Sequence, residues 1–340
     1  MIMSYQFDFR PYQRKFKQPL ETSQGLWSIR EGIIIRLIDK NGKFSFGEIA
    51  PIAWFGSETF EQAIDFCRQL PAIITEKIIF AIPNEFPACQ FGFESAWENI
   101  TENLTENITK SIETVPLSSN LGTIHSSLLP SGKAALQAWQ TLWHQGYRTF
   151  KWKIGVGKIA EEFKIFEQLI YAIREMKKSA FLRLDANGGL SYNQACQWLQ
   201  FCDFLASDKS TVNIEFIEQP LPVNQFETML ELSSRYSTPI ALDESVATLN
   251  QLQECYYRGW EGVFAIKPCI AGYPSKLRKF CQTYDIDVVF SSVFETKIGR
   301  EKALNLAAQL SYHNRALGFG VNHWFDEDEE SWLEDLWKNS

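Results

Sequence analysis

Two lysines, Lys151 and Lys153, occupy alternate positions in FKWKIGVG, a run that otherwise reads as a buried strand. Side chains alternate across a strand, so both ammonium groups share one face while Phe150, Trp152 and Ile154 take the other. The same parity places further charges at strand ends: Arg183 and Asp185 in FLRLDAN, Glu218 in IEFIEQP, Asp243 in IALDES and Lys267 in FAIKP. Glu215 is expected to point away from Glu218, because the two are of opposite parity. One charged strand end is an ordinary solvated terminus or ion pair. Successive strand ends reading Lys, Asp, Glu, Asp, Lys form a constellation.

Three carboxylates converging on one rim repel each other unless a cation sits among them. Asp185, Glu218 and Asp243 offer only oxygen, with no His or Cys in their motifs, which suits Mg²⁺ or Mn²⁺ as its substitute; the plainer alternative is a carboxylate cluster without metal. Lys153 precedes the acids in chain order and Lys267 follows them, so in a closed barrel the two would face each other across the ion. A lysine acting as a base at neutral pH must lose a proton that it ordinarily holds to about pH 10.4. With Lys151 and Arg183 each about 7 Å away in an effective dielectric near 20, each would cost the charged form of Lys153 about 2.4 kcal/mol. The metal would add to that push and its carboxylate ligands subtract from it, and on this reading Lys151 makes Lys153 a usable base. The alternative is that the lysine pair simply binds a phosphate or carboxylate.

Strands must bring these residues together. From about residue 115, short apolar strands recur with room for one helix between each: PLSSNL, TFKWKI, FLRLDA, IEFIEQ, PIALDE, GVFAIK, DVVFSS and RALGFG. That rhythm predicts an α/β fold with a closed parallel barrel, an open doubly wound sheet being the alternative. No Gly-x-Gly-x-x-Gly follows the first strand, which argues against a dinucleotide fold. Before residue 115, WSIREGIIIRLID, a turn at Lys40-Asn41-Gly42 and KFSFGEIA predict a hairpin, with Asn-Gly supplying positive φ. Helical patterns in SETFEQAIDFCRQL and near FGFESAWENI make this part α+β. The predicted organisation is a 1–114 α+β domain, a 115–318 barrel and a 319–340 segment, rich in acids, whose helix folds back on the first domain.

A chain of 340 residues has enough apolar content for such a core, and its net charge of −8, with both signs interspersed, argues against nucleic-acid or anionic-membrane partners. A small-molecule partner is expected. Seven cysteines without a C-x-x-C pair suit free thiols in a reducing compartment. MIMSYQFDFRPYQRKF lacks the apolar core of a signal peptide, so a cytoplasmic location is expected. The Asn-x-Thr patterns at Asn99, Asn103 and Asn107 then read as an exposed polar stretch.

With KWK, RLDAN, IEQP, LDES and AIKP in that order, the sequence resembles the enolase superfamily, muconate-lactonizing subgroup. The resemblance spans nearly the whole chain. It implies a (β/α)7β modified TIM barrel under an N-terminal α+β capping domain, Mg²⁺ held by Asp185, Glu218 and Asp243, and Lys153 and Lys267 on opposite faces of the substrate. A lysine base working beside a Mg²⁺-stabilised enediolate is an established pattern of that superfamily. The looser segments TSQGLWSIREG, GEIAPIAWFGSET, SSVFET and ALGFG are similar to its branch that dehydrates 2-succinyl-6-hydroxy-2,4-cyclohexadiene-1-carboxylate to 2-succinylbenzoate in menaquinone or phylloquinone biosynthesis. The resemblance assigns the α-proton to Lys153 and keeps Lys267 protonated. It places Thr22, Ser23, Trp54 and Phe55 on closing loops, Asn187 at the substrate, and Ser291, Ser292 and Gly318 around the succinyl carboxylate. His125, His144, His313 and His323 match no motif and are expected to be structural.

An N-succinylamino acid racemase or dipeptide epimerase of the same superfamily is the nearest alternative; dipeptide epimerases carry an Asp-x-Asp at the eighth strand end, where this chain reads GFG. Asp326 and Asp328 have that spacing but lie later, in an acidic run. A silent barrel binding protein and a metal-free Schiff-base aldolase using Lys267 are the readings from other classes.

Overall fold

The computed structural model describes residues 3–22, 25–102, 124–206, 212–311, 315–321, 325 and 329–338. Four antiparallel strands, β1 (Ser4–Thr22), β2 (Gly25–Ile38), β3 (Phe44–Ile49) and β4 (Ile73–Thr75), form the first sheet in the order β3-β2-β1-β4. The β2–β3 hairpin is the expected one, but its turn differs. Gly42 alone of the pair takes positive φ, at 83°. Asp39 does the remaining work, its carboxylate accepting from the amides of Asn41 and Lys43, so the connection is an Asx turn rather than a two-residue Asn-Gly loop. Its long β1 partner, not among the expected elements, alternates Tyr5, Phe7 and Phe9 with Gln6, Asp8 and Arg10.

Helices α1 (Phe60–Gln69) and α2 (Pro87–Glu102) cover this sheet. A reciprocal Thr59/Gln62 capping box starts α1, and the buried Glu58 carboxylate receives the Ala88 and Cys89 amides at the start of α2. Gly47 and Gly92 permit β3 and α2 to touch: a Cβ on Gly47 would stand 2.0 Å from the Gly92 carbonyl oxygen.

The second sheet is parallel and sequential, with β5 (Ser126–Leu128), β6 (Thr149–Lys153), β7 (Ala180–Asp185), β8 (Val212–Glu218), β9 (Ile240–Leu242), β10 (Val263–Ile266) and β11 (Val288–Phe290). Parallel bridges of Leu317 with His125 and of Gly318 with Ser291 join the two edges, so the sheet closes through residues 317–318 as a barrel. The eighth strand is thus only a pair of bridges. PLSSNL, the expected first barrel strand, lies outside the described residues, and Ser126–Leu128 holds the first position instead.

Helices α3 (Ala135–His144), α4 (Ile159–Arg174), α5 (Tyr192–Ala206), α6 (Phe226–Arg235), α7 (Leu249–Tyr257), α8 (Pro274–Tyr284) and α9 (Lys297–Leu310) surround the barrel. Trp152 shows why β6 alternates: its indole faces outward, stacked on Phe166 of α4 and edge-on to Trp198 of α5. The inward set is smaller, with Phe216, Ala241, Val263, Ala265 and Val289 packed together inside the barrel. A final helix, α10 (Glu329–Lys338), lies against the first sheet, Trp332 meeting Tyr12 edge-on and Trp337 packing on Phe46 and below the Arg36 guanidinium.

Candidate active site

Strand register sets the first three groups side by side. Lys153 pairs with Asp185 across β6–β7, and Asp185 with Glu218 across β7–β8, at one height on the barrel rim. Asp243 follows β9, and Lys267 follows β10. One cavity of about 510 Å³ is walled by Lys151, Lys153, Asp185, Glu218, Asp243 and Lys267. Leu20, Trp27, Trp54 and Phe55 of the first sheet and its loops cover it.

Lys151 is ion-paired with Asp185 Oδ2 and Glu218 Oε1, each 2.7 Å away, and Lys267 is ion-paired with Asp243. Burial opposes the charge of Lys151, but Asp185, Glu218 and Asp243 together outweigh burial and raise its pKa. Burial likewise opposes the charge of Asp185, yet Lys151 prevails and lowers its pKa. Glu218 goes the other way: burial, with Asp185 and Asp243 nearby, pushes its carboxyl up to about 8 despite Lys151. Burial also raises Asp243 and Glu244. The four acids Asp185, Glu218, Asp243 and Glu244 thus outnumber the three lysines, Lys151, Lys153 and Lys267, on the same cavity wall.

That excess, together with an all-oxygen donor set, fits a hard divalent cation at Asp185, Glu218 and Asp243. As placed, no group of three or more His, Cys, Asp or Glu among the described residues is close enough to hold a metal. The ammonium of Lys151 stands between Asp185 and Glu218, and that of Lys267 is paired with Asp243.

One expectation about orientation is corrected. Glu215 was expected to point away from the Glu218 side, but the β7–β8 register shifts between Leu182 and Arg183, so Leu182 pairs with Ile214 and Arg183 with Phe216. The extra residue lets Glu215 accept from Arg183 Nε at 2.6 Å and from Arg315 at 2.7 Å. The guanidinium of Arg183 is thus ion-paired with Glu215, and the ammonium of Lys151 with Asp185 and Glu218.

The remaining expected residues divide. Trp54, Phe55, Asn187, Ser291, Ser292 and Gly318 all line the cavity. Thr22 ends β1 with its backbone paired to Gly25, and Ser23 lies outside the described residues. The Ser291 hydroxyl is buried without a hydrogen-bond partner in the structure and is available to a ligand. Ser292 is committed elsewhere: its hydroxyl donates to Glu295 Oε2 at 2.8 Å and accepts the Phe294 amide at 2.9 Å. Gly318 has to be glycine, since a Cβ there would come within 2.7 Å of that of Ser291. His125 is half-buried at the barrel seam and its pKa is lowered by desolvation there, while His144 is an exposed helix residue; His313 and His323 lie outside the described residues. Asp326 and Asp328 do so as well.

Sequence reasoning missed the supports. Gln219, fully buried with φ of 39°, accepts the Asp243 and Ser245 amides and donates to Ser245 Oγ, so it ties the end of β8 to that of β9. Glu162 gathers the amides of Gly155, Val156 and Gly157 and fixes the loop after Lys153. Glu244 accepts from Asn187, and its second oxygen is buried without a partner. IEQP and LDES contain two of these residues, but only tertiary contacts reveal what they hold.

Residues 134–336 match the family model described as enolase C-terminal domain-like, and residues 12–100 the model described as MenC, N-terminal domain. The chain is 38% identical over 320 residues to the o-succinylbenzoate synthase of Thermosynechococcus vestitus, covering 94% of this chain and 93% of that one. It is 24% identical over 341 residues to the Bacillus subtilis protein of the same name, covering 93% and 84%. Among solved structures it is similar to o-succinylbenzoate synthase from Thermosynechococcus elongatus BP-1 complexed with Mg in the active site, with a TM-score of 0.83, 36% identity and coverage of 98% and 100%.

Proposed function

Because the chain belongs to the o-succinylbenzoate synthase family within the enolase-like proteins, we propose that it catalyses the Mg²⁺-dependent syn dehydration of 2-succinyl-6-hydroxy-2,4-cyclohexadiene-1-carboxylate to 2-succinylbenzoate. The observation that carries this reading is the single cavity in which Lys153 and Lys267 stand with Asp185, Glu218 and Asp243. The reaction belongs to menaquinone or phylloquinone biosynthesis. Among the described residues no helix is long and apolar enough to cross a membrane. We assign a cytoplasmic location on the seven free cysteines, which suit a reducing compartment. Residues 1–114 serve as the cap, 115–318 as the barrel and 319–340 as the returning segment; the 114–115 junction itself lies outside the described residues.

In this assignment Asp185, Glu218 and Asp243 hold the ion, which supplies Lewis-acid stabilisation to the substrate carboxylate. Lys153 Nζ takes the proton α to that carboxylate, and the C–H electrons remain on the substrate. Lys267 keeps its ammonium toward the developing negative charge. The C–O bond then breaks, and Lys153 returns its proton to the leaving hydroxyl, which departs as water. Ser291, with Gly318 beside it, receives the succinyl carboxylate. Trp27, Trp54 and Phe55 exclude bulk water from above.

The test is to mix the cyclohexadiene substrate with enzyme and Mg²⁺ and to follow aromatic product absorbance. Lys153→Ala should lose about 10²–10⁴-fold in kcat, the usual share of a general base. EDTA should abolish turnover and Mg²⁺ restore it; full activity in EDTA would instead favour a Schiff-base reaction at Lys267. Absence of product with the wild-type protein would remove the assignment.

A further inference from the structure

Lys267 is held from two sides, and only one of them is the barrel. Its ammonium is ion-paired with Asp243 and also lies 3.9 Å from the centroid of the Phe55 ring. We propose that Phe55 is a positioning residue for Lys267: the cap presents a ring face that fixes where this ammonium stands. The contact is a cation–π interaction, in which the negative face of the ring attracts the charge. An ammonium has three donors on a flexible four-carbon stem. Asp243 takes one, the ring constrains the stem's swing, and a direction remains for substrate.

The presenting turn is built to hold Phe55 still. The Phe55 and Ser57 amides both donate to the Ile52 carbonyl, at 3.0 and 3.4 Å, and the Ile52 amide donates back to Ser57 Oγ at 2.7 Å. Gly56 takes φ of 121°, and a Cβ there would stand 3.1 Å from that of Ala247, so the turn sits directly on the barrel segment that follows Asp243. Glu58, immediately after the turn, is anchored on the Ala88 and Cys89 amides. On the outer side, Trp54 rests edge-on against Trp27. Displacement of the cap would therefore release Lys267 from the ring.

What the fixed amine is used for rests on the dehydratase reading; the contact itself does not. Phe55→Leu keeps apolar bulk without a π face, and Phe55→Tyr keeps the face. In the full chain with Mg²⁺, Phe55→Leu should lower kcat about tenfold with KM nearly unchanged, and Phe55→Tyr should restore it. Lysine labelled with ¹³C at Cε provides a second readout, with Lys267 assigned through its loss in Lys267→Arg. Its Cε protons should be shifted upfield by the ring in wild type and Phe55→Tyr, and should lose that shift in Phe55→Leu. An unshifted wild-type signal, or one unmoved by Phe55→Leu, overturns the proposal, as does Phe55→Tyr failing like Phe55→Leu. A normal set of shifts in a protein that does not turn over the cyclohexadiene would sink the reaction and leave the contact standing.

Discussion

Adjacent serines at the end of β11 illustrate how neighbouring side chains of one type acquire different work. Ser291 Oγ faces the cavity without a partner, whereas Ser292 braces Glu295 and the Phe294 amide, and Phe294 itself takes φ of 60°. Removing the first hydroxyl takes a donor from a charged ligand; removing the second strands buried groups of the protein. Ser291→Ala is therefore expected to raise KM by roughly tenfold, equivalent to about 1.4 kcal/mol, without lowering the melting temperature. Ser292→Ala should instead cost about 1–3 kcal/mol of stability in urea unfolding. Equal effects of the two variants on both measurements would contradict this division.

At the scale of elements, the cap is joined to the barrel by Glu48 of β3. Its fully buried carboxylate receives Tyr12 Oη, the Thr296 amide and hydroxyl, and the Gly299 amide at the start of α9. A carboxylate at a helix N-terminus satisfies otherwise orphaned amides and opposes the positive end of the helix dipole. Gly299 leaves the room: a Cβ there would lie 2.8 Å from Glu48 Oε2. Tyr12→Phe keeps the ring against Trp332 and removes only the donor to the buried charge. It should cost about 1.5–3 kcal/mol in chemical denaturation, the range for a hydrogen bond to a charged group. A loss below about half a kcal/mol would mean that the amides of α9 hold Glu48 sufficiently by themselves.

For the molecule as a whole, the same interface makes stability depend on pH. Glu94 of α2 is buried where that helix meets α8, accepting the Ser275 amide with one oxygen while the other has no partner. Burial, with Glu98 adding repulsion, pushes its carboxyl up to about 7 from 4.5, against the help of Ser275. The folded state therefore holds this proton more tightly than the unfolded state does. Between about pH 4.5 and 7 its contribution to stability falls as pH rises, and above that window the full cost of about 3 kcal/mol is present. Glu94→Gln should match wild type near pH 4.5 and exceed it progressively toward pH 7.5, measured as unfolding free energy. A constant difference across that range would show that Glu94 ionises equally in both states.

The charged strand ends, their order and the repeated strand–helix rhythm are legible in the amino acids alone. Those are local properties: side-chain parity and hydrophobic period act over a few residues and can be read without knowing what lies opposite. The hairpin of β2 and β3 and most barrel strands were legible for the same reason. Tertiary structure decided everything that depends on a partner distant in sequence. The β7–β8 register shift turned Glu215 onto Arg183, Asp185 and Glu218 paired with Lys151, and Glu295 claimed Ser292. Residue type records what a group can do, but an electrostatic or hydrogen-bonding role belongs to a pair, and the second member is supplied by the fold.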